Sequence, residues 1–509
     1  MGPIGEMMTS RDMPDPSNPA ATGGRAWGWR PIWIVTVLVF CAYLALSLGR
    51  WRRQAAPSWD LAIFEQAVKG YAYLGAPIID IKGPGFNQLG DHFSPLLAVL
   101  APFYRVFPSP VTLLVAQCVL VAISVVPVML AARRFLGVYA AVLLGAAYGV
   151  SWGFQSGVDV QFHEYALAVP LLAFCLWAYL SHRWVAASIL ALTLLGVKED
   201  LGLTVIVIGI LMAVRGVRRW SDLHEDAARQ VVTGVATALI GLVAMLVILL
   251  AVIPAFNPDG TWAYWGRLAS DPDASGTGVG AAVENVPHLL LTLLTPAQKV
   301  NTLVLLAALC MGCCVMSPLV LVAVPTLLWR FLSTNDGYWG TGWHYSMILM
   351  PIIFMAAIDA LQKLRGSDSP RVRVYARLVP ALGLAFGLVT CLVFPLKGVL
   401  NPASYQPPAR AGEAAAVIAL IPDGTSVATD TGLITQLVTH HTVYWNGGLP
   451  DGIVPDYVLV DPQAGWSSDP GDPAGLAEMY YPGTGFTTIY DETVSGDPQG
   501  YRLAEHNGI

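Results

Sequence analysis

The sequence predicts a polytopic α-helical membrane protein that carries a small α/β domain at its C-terminal end. Of its 509 residues, 55% are hydrophobic and 12% are charged, and the mean hydropathy is +0.58. Apolar runs of about 20 residues, long enough to cross a bilayer as helices, recur from residue 31 to residue 396. Residues 411–509 instead contain 13 acidic residues and one basic residue, Arg502. This acidic part argues for a separate soluble domain and against nucleic acid as a partner.

Eleven apolar runs are predicted to cross the membrane, and they divide the chain into three parts. Residues 1–29 are predicted to be a disordered cytoplasmic tail, 30–400 a transmembrane domain with a large first external loop at 50–108, and 401–509 a soluble extracytoplasmic α/β domain. Two of the runs, 184–197 and 201–214, could also form one helix broken at Lys198. The runs are 31–48, 109–132, 138–155, 164–181, 184–197, 201–214, 230–254, 299–315, 317–333, 344–362 and 376–396.

The distribution of Lys and Arg predicts the orientation of the bundle. Short loops rich in these residues stay in the cytoplasm. Assigning such loops to the cytoplasm places the N-terminus inside and the C-terminal domain outside a multi-pass membrane protein. Arg52, Arg53 and Arg105 fall on the outer side and depart from the rule. The basic loops lie at 133–134, 182–183, 215–229 and 363–377.

The C-terminal part has the alternation of strands and helices that is typical of a small sheet packed by helices. Strands are predicted at 425–430, 442–445 and 456–461, a short helix at 432–439, and a closing hairpin from 486–490 and 501–504. No glycine-rich phosphate-binding turn follows any of these strands. The domain is therefore interpreted as an outward-facing accessory domain.

The predicted topology brings ionisable residues that are far apart in sequence to the outer face of the membrane. Ionisable residues in or beside a membrane are costly, and they are therefore functional candidates. They fall into four groups along the chain, and an aromatic residue accompanies the last one. They are Asp60, Asp91 and His92; Asp159, His163 and Glu164; Lys198, Glu199 and Asp200; and Arg330, Trp343 and His344.

Asp60 has two interpretations that the sequence leaves open. It follows Ser58 and begins an amphipathic stretch in which Leu61, Phe64 and Val68 share one face. As a helix cap it would contribute about 1 kcal/mol. As a carboxylate at the mouth of a helical bundle it would be a general base or a metal ligand.

The other candidates also have structural alternatives. Asp91 and His92 could form a hydrogen-bonded pair at the outer rim, and Asp159 and Glu164 could place negative charge at a helix N-terminus. Together with His163, these acids could equally bind a metal, although the spacing matches no common metal motif. Arg330 suits a phosphate because its guanidinium binds bidentately, but it could instead reach to the membrane interface.

Five motifs of this sequence resemble a large family of bacterial polytopic membrane proteins of unknown function. They are Asp60 with Phe64 and Gln66, GDHFSP at 90–95, FHEYA at 162–166, KED at 198–200 and WHY at 343–345. That family in turn is similar to the GT-C superfamily of integral-membrane glycosyltransferases, which have a large first external loop with catalytic carboxylates. The resemblance covers about residues 30–400, and it carries a catalytic role over to Asp60 alone.

The resemblance implies a glycosyltransferase in the bacterial cytoplasmic membrane. Its partners would be a polyprenyl-phosphate-linked sugar, a cell-envelope glycan or lipid acceptor, and the membrane lipids. A divalent metal is possible as a cofactor, but the sequence does not identify it. Chemistry then suggests Asp60, Asp91 and His92 for catalysis, and Lys198, Arg330 and His344 for the donor phosphate. The cavity would be lined by Asp159, His163, Glu164, Glu199, Asp200 and Trp343.

Two other classes of function remain open. A transporter or flippase would suit helices broken at 198–200 and 318–325, although the charges gather towards one face rather than the midplane. A non-catalytic assembly or sensor protein would depend mainly on the acidic domain. The loop 255–298 is predicted to be a mobile external segment near the site.

Overall fold

The computed structural model of the protein describes residues 28–54, 59–219, 224–265, 293–450, 452–492 and 499–508. All but the last two residues of the predicted disordered tail lie outside these ranges, as does most of the loop 255–298. Within them the chain forms a helical bundle followed by a small domain built on one sheet. The predicted fold class is therefore confirmed.

Six helices in the described part of the chain are long and apolar enough to cross a membrane. They are Arg30–Arg52, Pro110–Leu136, Leu201–Arg218, Glu225–Phe256, His344–Arg365 and Pro370–Thr390. Shorter apolar helices cover Pro95–Val106, Tyr165–Leu180, Trp184–Gly196 and Pro318–Leu332. These helices correspond to nine of the eleven predicted runs, whereas the runs 138–155 and 299–315 have no counterpart among them and Pro95–Val106 lies outside the predicted runs.

The α-helices of the membrane part are numbered here in chain order. They are α1 (Arg30–Arg52), α2 (Trp59–Ala72), α3 (Ala101–Val106), α4 (Pro110–Leu136), α5 (Val138–Gly149), α6 (Trp152–Asp159), α7 (Tyr165–Leu180), α8 (Trp184–Thr193), α9 (Leu201–Arg218), α10 (His224–Val247), α11 (Ile253–Phe256), α12 (Ala297–Ala308), α13 (Val324–Leu332), α14 (Leu349–Arg365) and α15 (Pro370–Thr390).

Two of the predicted spans are interrupted in the structure. The run 138–155 forms α5 and then α6, and the chain changes direction at Ser151, which has extended backbone angles. The run 299–315 ends as an α-helix at Ala308, because Met311 and Gly312 adopt φ values of 50° and 80°. A right-handed helix cannot continue through such residues. Hydrophobicity alone does not reveal these breaks, because both flanking segments are apolar.

Helix α14 forms the centre of the bundle. Its residues from Leu349 to Leu361 are all buried. A helix that is apolar around its whole circumference is stable when other helices surround it, which is the arrangement here. The segment that enters α14 carries His344, so this candidate residue starts from a rigid and buried position.

The C-terminal domain contains one five-stranded sheet with the order β2-β1-β3-β5-β4. Strands β1, β2 and β3 are parallel, whereas β5 runs antiparallel to both β3 and β4. The predicted strands and the closing hairpin are confirmed. The strands are β1 (Ser426–Thr429), β2 (Thr442–Trp445), β3 (Tyr457–Val460), β4 (Phe486–Asp491) and β5 (Arg502–His506), and the helices are α16 (Ala411–Ile418), α17 (Ile434–Leu437) and α18 (Pro473–Tyr480).

Helix α2 is packed between the bundle and the C-terminal domain. Its predicted apolar face is buried, but so are Ala62 and Gln66 on its other side, because the C-terminal domain covers them. The Gln66 amide donates to the Val443 carbonyl at 2.9 Å, and Lys69 donates to the Val438 carbonyl at 2.7 Å. These bonds fix the helix that carries Asp60 at its N-terminal end.

Candidate functional site

A cavity of about 580 Å³ lies where the N-terminal end of α2 meets the bundle. It is bounded by the first external loop, by the start of α9 and by the segment that enters α14. Eight of the candidate residues from the sequence contribute to its wall. They are Asp60, Asp91, His92, His163, Lys198, Glu199, Asp200 and His344.

Asp60 is the second described residue of α2, which begins at Trp59 directly after residues 55–58, outside the described ranges. The position before the helix is Ser58, which lies outside the described residues. A carboxylate in the first turn is still favoured by the helix dipole. The helix thus supports a negative charge at Asp60, while no hydrogen bond holds that carboxylate within the described chain.

Asp60, His163 and His344 form a close group in the cavity. One ligand atom from each lies within 4.8 Å of the others, and the three can hold a metal ion. The imidazole rings of His163 and His344 stack with their centroids 3.3 Å apart. Three motifs separated by more than 100 residues therefore meet at one point.

Neither ring nitrogen of His344 has a hydrogen-bond partner in the described structure, although the residue is buried. Buried polar groups are normally paired, so an unpaired imidazole in a cavity is a sign of a binding function. Its position depends on Arg330. The Arg330 guanidinium donates to the carbonyls of Tyr338 and Gly340 at 2.7 and 2.8 Å and to the Ser346 hydroxyl at 3.2 Å.

Glu164 lies behind the cavity wall and contacts two of the lining residues. One carboxylate oxygen lies 2.7 Å from Nδ1 of His163, and the other lies 2.8 Å from Nζ of Lys198. Glu164 is fully buried, so it is accompanied by the two groups that can balance its charge. It thereby fixes the orientation of both side chains.

The loop carrying Asp91 and His92 is held by a second set of ionic contacts. Glu199 accepts from Nδ1 of His92 at 2.7 Å and from the Phe93 amide at 3.0 Å. Asp91 forms an ion pair with Lys82 and accepts from the Tyr264 hydroxyl at 3.0 Å. Burial raises the pKa of Asp91, but the positive charges of His92 and Lys82 outweigh it and hold that pKa below its usual value.

Asp200 differs electrostatically from these two acids. The Tyr165 hydroxyl donates to one of its oxygens at 2.7 Å, whereas the other oxygen is buried without a partner among the described residues. Burial raises the pKa of Asp200 to about 6, since the nearby positive charge of Lys198 offsets it only in part. The cavity therefore combines acids that stay ionised with one that titrates near neutral pH.

Gly90 allows the external loop to approach the end of α11. A Cβ at this position would lie 2.4 Å from the Phe256 carbonyl oxygen, which is closer than any side chain tolerates. Directly beside this contact, the Asn257 amide donates to the Gly90 carbonyl at 2.8 Å. The glycine of the GDHFSP motif is thus explained by backbone packing that holds Asp91 and His92 in place.

Sequence reasoning missed an aromatic wall and one cation. Trp262, Tyr264 and Trp265 come from the loop that was expected to be mobile, and they line the cavity together with Tyr345. The Tyr264 ring stacks on His92 with centroids 4.5 Å apart. The sequence WAYW at 262–265 was the available signal. The cation is Lys82, which also lines the cavity.

Four predicted residues lie elsewhere. Asp159 lines a separate cavity and pairs with Arg50 at 3.3 Å. Trp343 is 48% exposed and is not part of the wall. Glu164 and Arg330 are buried behind the wall, where they hold His163, Lys198 and the segment of His344. The direct phosphate contact predicted for Arg330 is replaced by hydrogen bonds to the protein.

Comparisons with known proteins address the family and the fold. The model of one family, described as "Predicted membrane protein (DUF2079)", matches residues 32–490 of the chain. No curated protein matches the sequence.

Solved structures are similar at low sequence identity. ArnT from Cupriavidus metallidurans bound to undecaprenyl phosphate has a TM-score of 0.55 at 13% identity, over 94% of this chain and 98% of that chain. The apo state of the same protein has a TM-score of 0.53 at 13% identity, over 95% of this chain and 98% of that chain. The apo oligosaccharyltransferase of Archaeoglobus fulgidus has a TM-score of 0.42 at 12% identity, over 83% of this chain and 65% of that chain. The likeness to ArnT shows the fold alone.

Proposed function

The chain belongs to the DUF2079 family of predicted membrane proteins and has a fold like that of the GT-C glycosyltransferases, and we propose that it transfers a sugar from a polyprenyl-phosphate donor to an extracytoplasmic acceptor in the cell envelope. The observation that carries this proposal is the composition of the cavity. It combines a carboxylate that makes no hydrogen bond within the described part of the chain, Asp60, with the cationic Lys198 and with an aromatic wall.

The cavity offers different surfaces to the parts of such a donor. Leu203, Met245 and Leu249 line one side, and Leu203 is 38% exposed on the lipid-facing surface of α9. An isoprenoid chain would lie against these residues. The tryptophans at 262 and 265 suit the C–H face of a sugar, and Lys198 and His344, which line the same cavity, are the proposed contacts of the phosphate. The ArnT structure was solved with undecaprenyl phosphate, which is consistent with a donor of this chemical class.

The proposed reaction is a single displacement at the anomeric carbon. Asp60 takes the proton of the acceptor hydroxyl, whose oxygen forms the new bond to that carbon. The bond between the anomeric carbon and the phosphate oxygen breaks, and its electron pair leaves with the polyprenyl phosphate. Lys198 and His344 stabilise the negative charge that develops on the leaving group.

The proposal is tested with purified protein in liposomes that contain polyprenyl-phosphate donors with radiolabelled sugars. We expect the label to pass to an acceptor from cell-envelope extract while free polyprenyl phosphate accumulates. If no donor is consumed but labelled donor crosses the bilayer, the protein is a transporter and the proposal is wrong.

The proposal also requires the site to face away from the cytoplasm. The basic loops predict this orientation, and the C-terminal domain lies at the same end of the bundle as the cavity because it packs on α2. A reporter that is active only outside the cytoplasm should be active when it is fused after Ile509. Activity of a cytoplasm-specific reporter at the same position would contradict this orientation.

A further inference from the structure

The group formed by Asp60, His163 and His344 has features that proton transfer alone does not require. Two imidazoles stack at 3.3 Å beside a carboxylate that makes no hydrogen bond in the described chain. Stacked imidazoles could not both be protonated at this distance without strong repulsion. Neutral imidazoles and an ionised carboxylate are the states in which these side chains bind metals.

Glu164 supplies the second observation. The carboxylate of Glu164 lies 2.7 Å from Nδ1 of His163, a close contact whose angle is not that of a hydrogen bond. A proton on Nδ1 would strengthen this contact and would leave Nε2 of the ring available to a metal ion. Histidines that bind metals usually donate a hydrogen bond from their other ring nitrogen to such a carboxylate. This bond fixes the orientation of the ring and increases its basicity. His344 offers both nitrogens, since neither is bonded to the described residues.

We propose that Asp60, His163 and His344 bind one divalent transition-metal ion of the zinc type. Two nitrogen ligands and one oxygen ligand favour such an ion over Mg²⁺ and Ca²⁺, which prefer oxygen. Three protein ligands leave coordination positions open on the cavity side, as in catalytic zinc sites. Asp60 uses one oxygen for the ion and keeps the second for the acceptor proton.

The role of the ion rests on the proposed function, but its binding does not. On that function the ion would supply Lewis-acid polarisation of an oxygen of the donor phosphate. Lys198 lines the same cavity, and the carboxylate of Glu164 compensates the charge of Lys198 at 2.8 Å. A metal ion can therefore bind in the cavity without being repelled by an uncompensated lysine charge.

The test measures metal binding directly and requires no substrate. The full chain is purified in detergent through a tag that contains no histidine, stripped with a chelator and titrated with Co²⁺. We expect one equivalent to produce a visible absorption band, Zn²⁺ to abolish the band, and excess Mg²⁺ to leave it unchanged. His163→Ala and His344→Ala should remove the band, while Glu164→Gln should weaken Co²⁺ binding about 10- to 100-fold.

The matched control is His92→Ala, which removes another histidine from the same cavity wall but not from the proposed ligand set. It should bind Co²⁺ like the parent protein. A parent protein that gives no stoichiometric band, or a His163→Ala/His344→Ala double variant that keeps it while its unfolding temperature matches the parent, overturns the metal site. Because the readout is binding, a protein that binds Co²⁺ but transfers no sugar refutes the proposed function alone.

A second cavity, of about 490 Å³, lies beside the end of α1 and carries an independent inference. Three cations line it, Arg50, Arg53 and Lys397, against the single carboxylate of Asp159. The Nε atom of Arg53 is buried without a hydrogen-bond partner in the described structure. Arg53 is also one of the residues that depart from the charge rule for the outer face.

The rest of the lining combines apolar residues with the polar Asn401 and Ser404. Leu46 and Val393 contribute to it, and Val393 is 66% exposed on the surface of the bundle. From this combination we infer that the cavity binds the phosphate group of a lipid headgroup. Arginine pairs bind phosphate oxygens through several charge-assisted hydrogen bonds, and the neighbouring apolar surface accepts the start of an acyl chain.

Native mass spectrometry of the full chain with dioleoyl phosphatidate, with dioleoylglycerol and with inorganic phosphate tests this inference. We expect one phosphatidate to stay bound, dioleoylglycerol to be lost, and inorganic phosphate to compete poorly. Arg53→Gln should weaken phosphatidate binding at least tenfold. The exposed neighbour Arg52 provides the matched control, and Arg52→Gln should have no effect.

Equal weakening by Arg52→Gln and Arg53→Gln would mean that the lipid responds to surface charge alone, and the inference would be wrong. Equal retention of phosphatidate and dioleoylglycerol would also overturn it, because the phosphate would then contribute nothing. If inorganic phosphate displaces phosphatidate when the two are present at equal concentration, the cavity binds free phosphate and not a lipid.

Discussion

The cavity of the transmembrane domain and the carboxyl end of the C-terminal sheet both concentrate acidic residues, but they differ in what those residues contact. At the sheet, Asp430 accepts from the Gly432 amide at 3.0 Å and from the Asp461 amide at 2.7 Å. Asp461 in turn accepts from Arg410 at 2.9 Å. In the cavity, Asp60 makes no hydrogen bond to the described chain, and one oxygen of Asp200 is buried without a partner there.

The difference separates two uses of a buried charge. Acids whose oxygens accept backbone amides stabilise the turn that supplies those amides, so Asp430 and Asp461 need no ligand to explain them. Acids and imidazoles without partners reduce stability, and they are retained where a ligand completes their bonding. The comparison therefore favours a site in the membrane domain and a structural role for the acids of the sheet.

The largest effect is expected from Asp60→Asn. Asparagine keeps the volume of the side chain, but it cannot take the proton of the acceptor hydroxyl. It also binds a metal ion less strongly than aspartate does. We expect sugar transfer to fall by roughly 10²–10⁴-fold while circular dichroism and the unfolding temperature stay close to those of the parent. The exposed Asp423 gives a matched control, and Asp423→Asn should transfer normally. Near-normal transfer by a folded Asp60→Asn protein would move the base to Asp91 or Glu199.

A smaller and different effect is expected from Asp430→Ala. The substitution leaves the Gly432 and Asp461 amides without their acceptor, which should destabilise the C-terminal domain by about 1–3 kcal/mol. Transfer per folded molecule should not change, when it is measured well below the unfolding temperature. Loss of sugar transfer with unchanged stability would contradict the structural role of these acids, because the sheet would then take part in the function.

The smallest effect concerns pH and the contact between the two regions. Burial raises the pKa of Glu65 from 4.5 to about 7, although Thr439 and Tyr104 donate to its carboxylate. Folding therefore binds a proton between these pH values, and stability increases as the pH falls from about 7 towards 4.5. The slope is at most about 1.4 kcal/mol per pH unit.

Glu65→Gln resembles the protonated state and keeps an oxygen that accepts both hydrogen bonds. Unfolding temperatures measured from pH 5 to pH 8 should therefore vary less in this variant than in the parent. Equal pH profiles for the two proteins would show that Glu65 is ionised throughout and that its burial is compensated by Lys69.

The sequence predicted the features that depend on local chemistry. Strand β2 lies at the predicted residues 442–445, because alternating β-formers between polar turns suffice to define it. His163 and His344 were identified because imidazoles are unusual at the ends of apolar runs. Their contact with Asp60 could be expected only as convergence on one side of the membrane, since the register of helices in a bundle is not encoded by any single motif.

The remaining features depend on tertiary contacts. Arg330 was interpreted as a phosphate ligand, because a sequence does not reveal that the carbonyls of Tyr338 and Gly340 occupy its guanidinium. Tyr264 was missed, because its role requires the ring of His92 to lie 4.5 Å away. Ala62 and Gln66 lie outside the predicted apolar face of α2, and the docked C-terminal domain explains their burial.

The packing of α2 between the bundle and the C-terminal domain limits how the protein can be dissected or evolve. The carbonyls that receive Gln66 and Lys69 belong to the C-terminal domain, whereas Asp60 lies at the other end of the same helix. Removing that domain would remove the acceptors of Gln66 and Lys69 and would expose Ala62 to water. We therefore expect that exchanging the C-terminal domain between relatives succeeds only when α2 is exchanged with it.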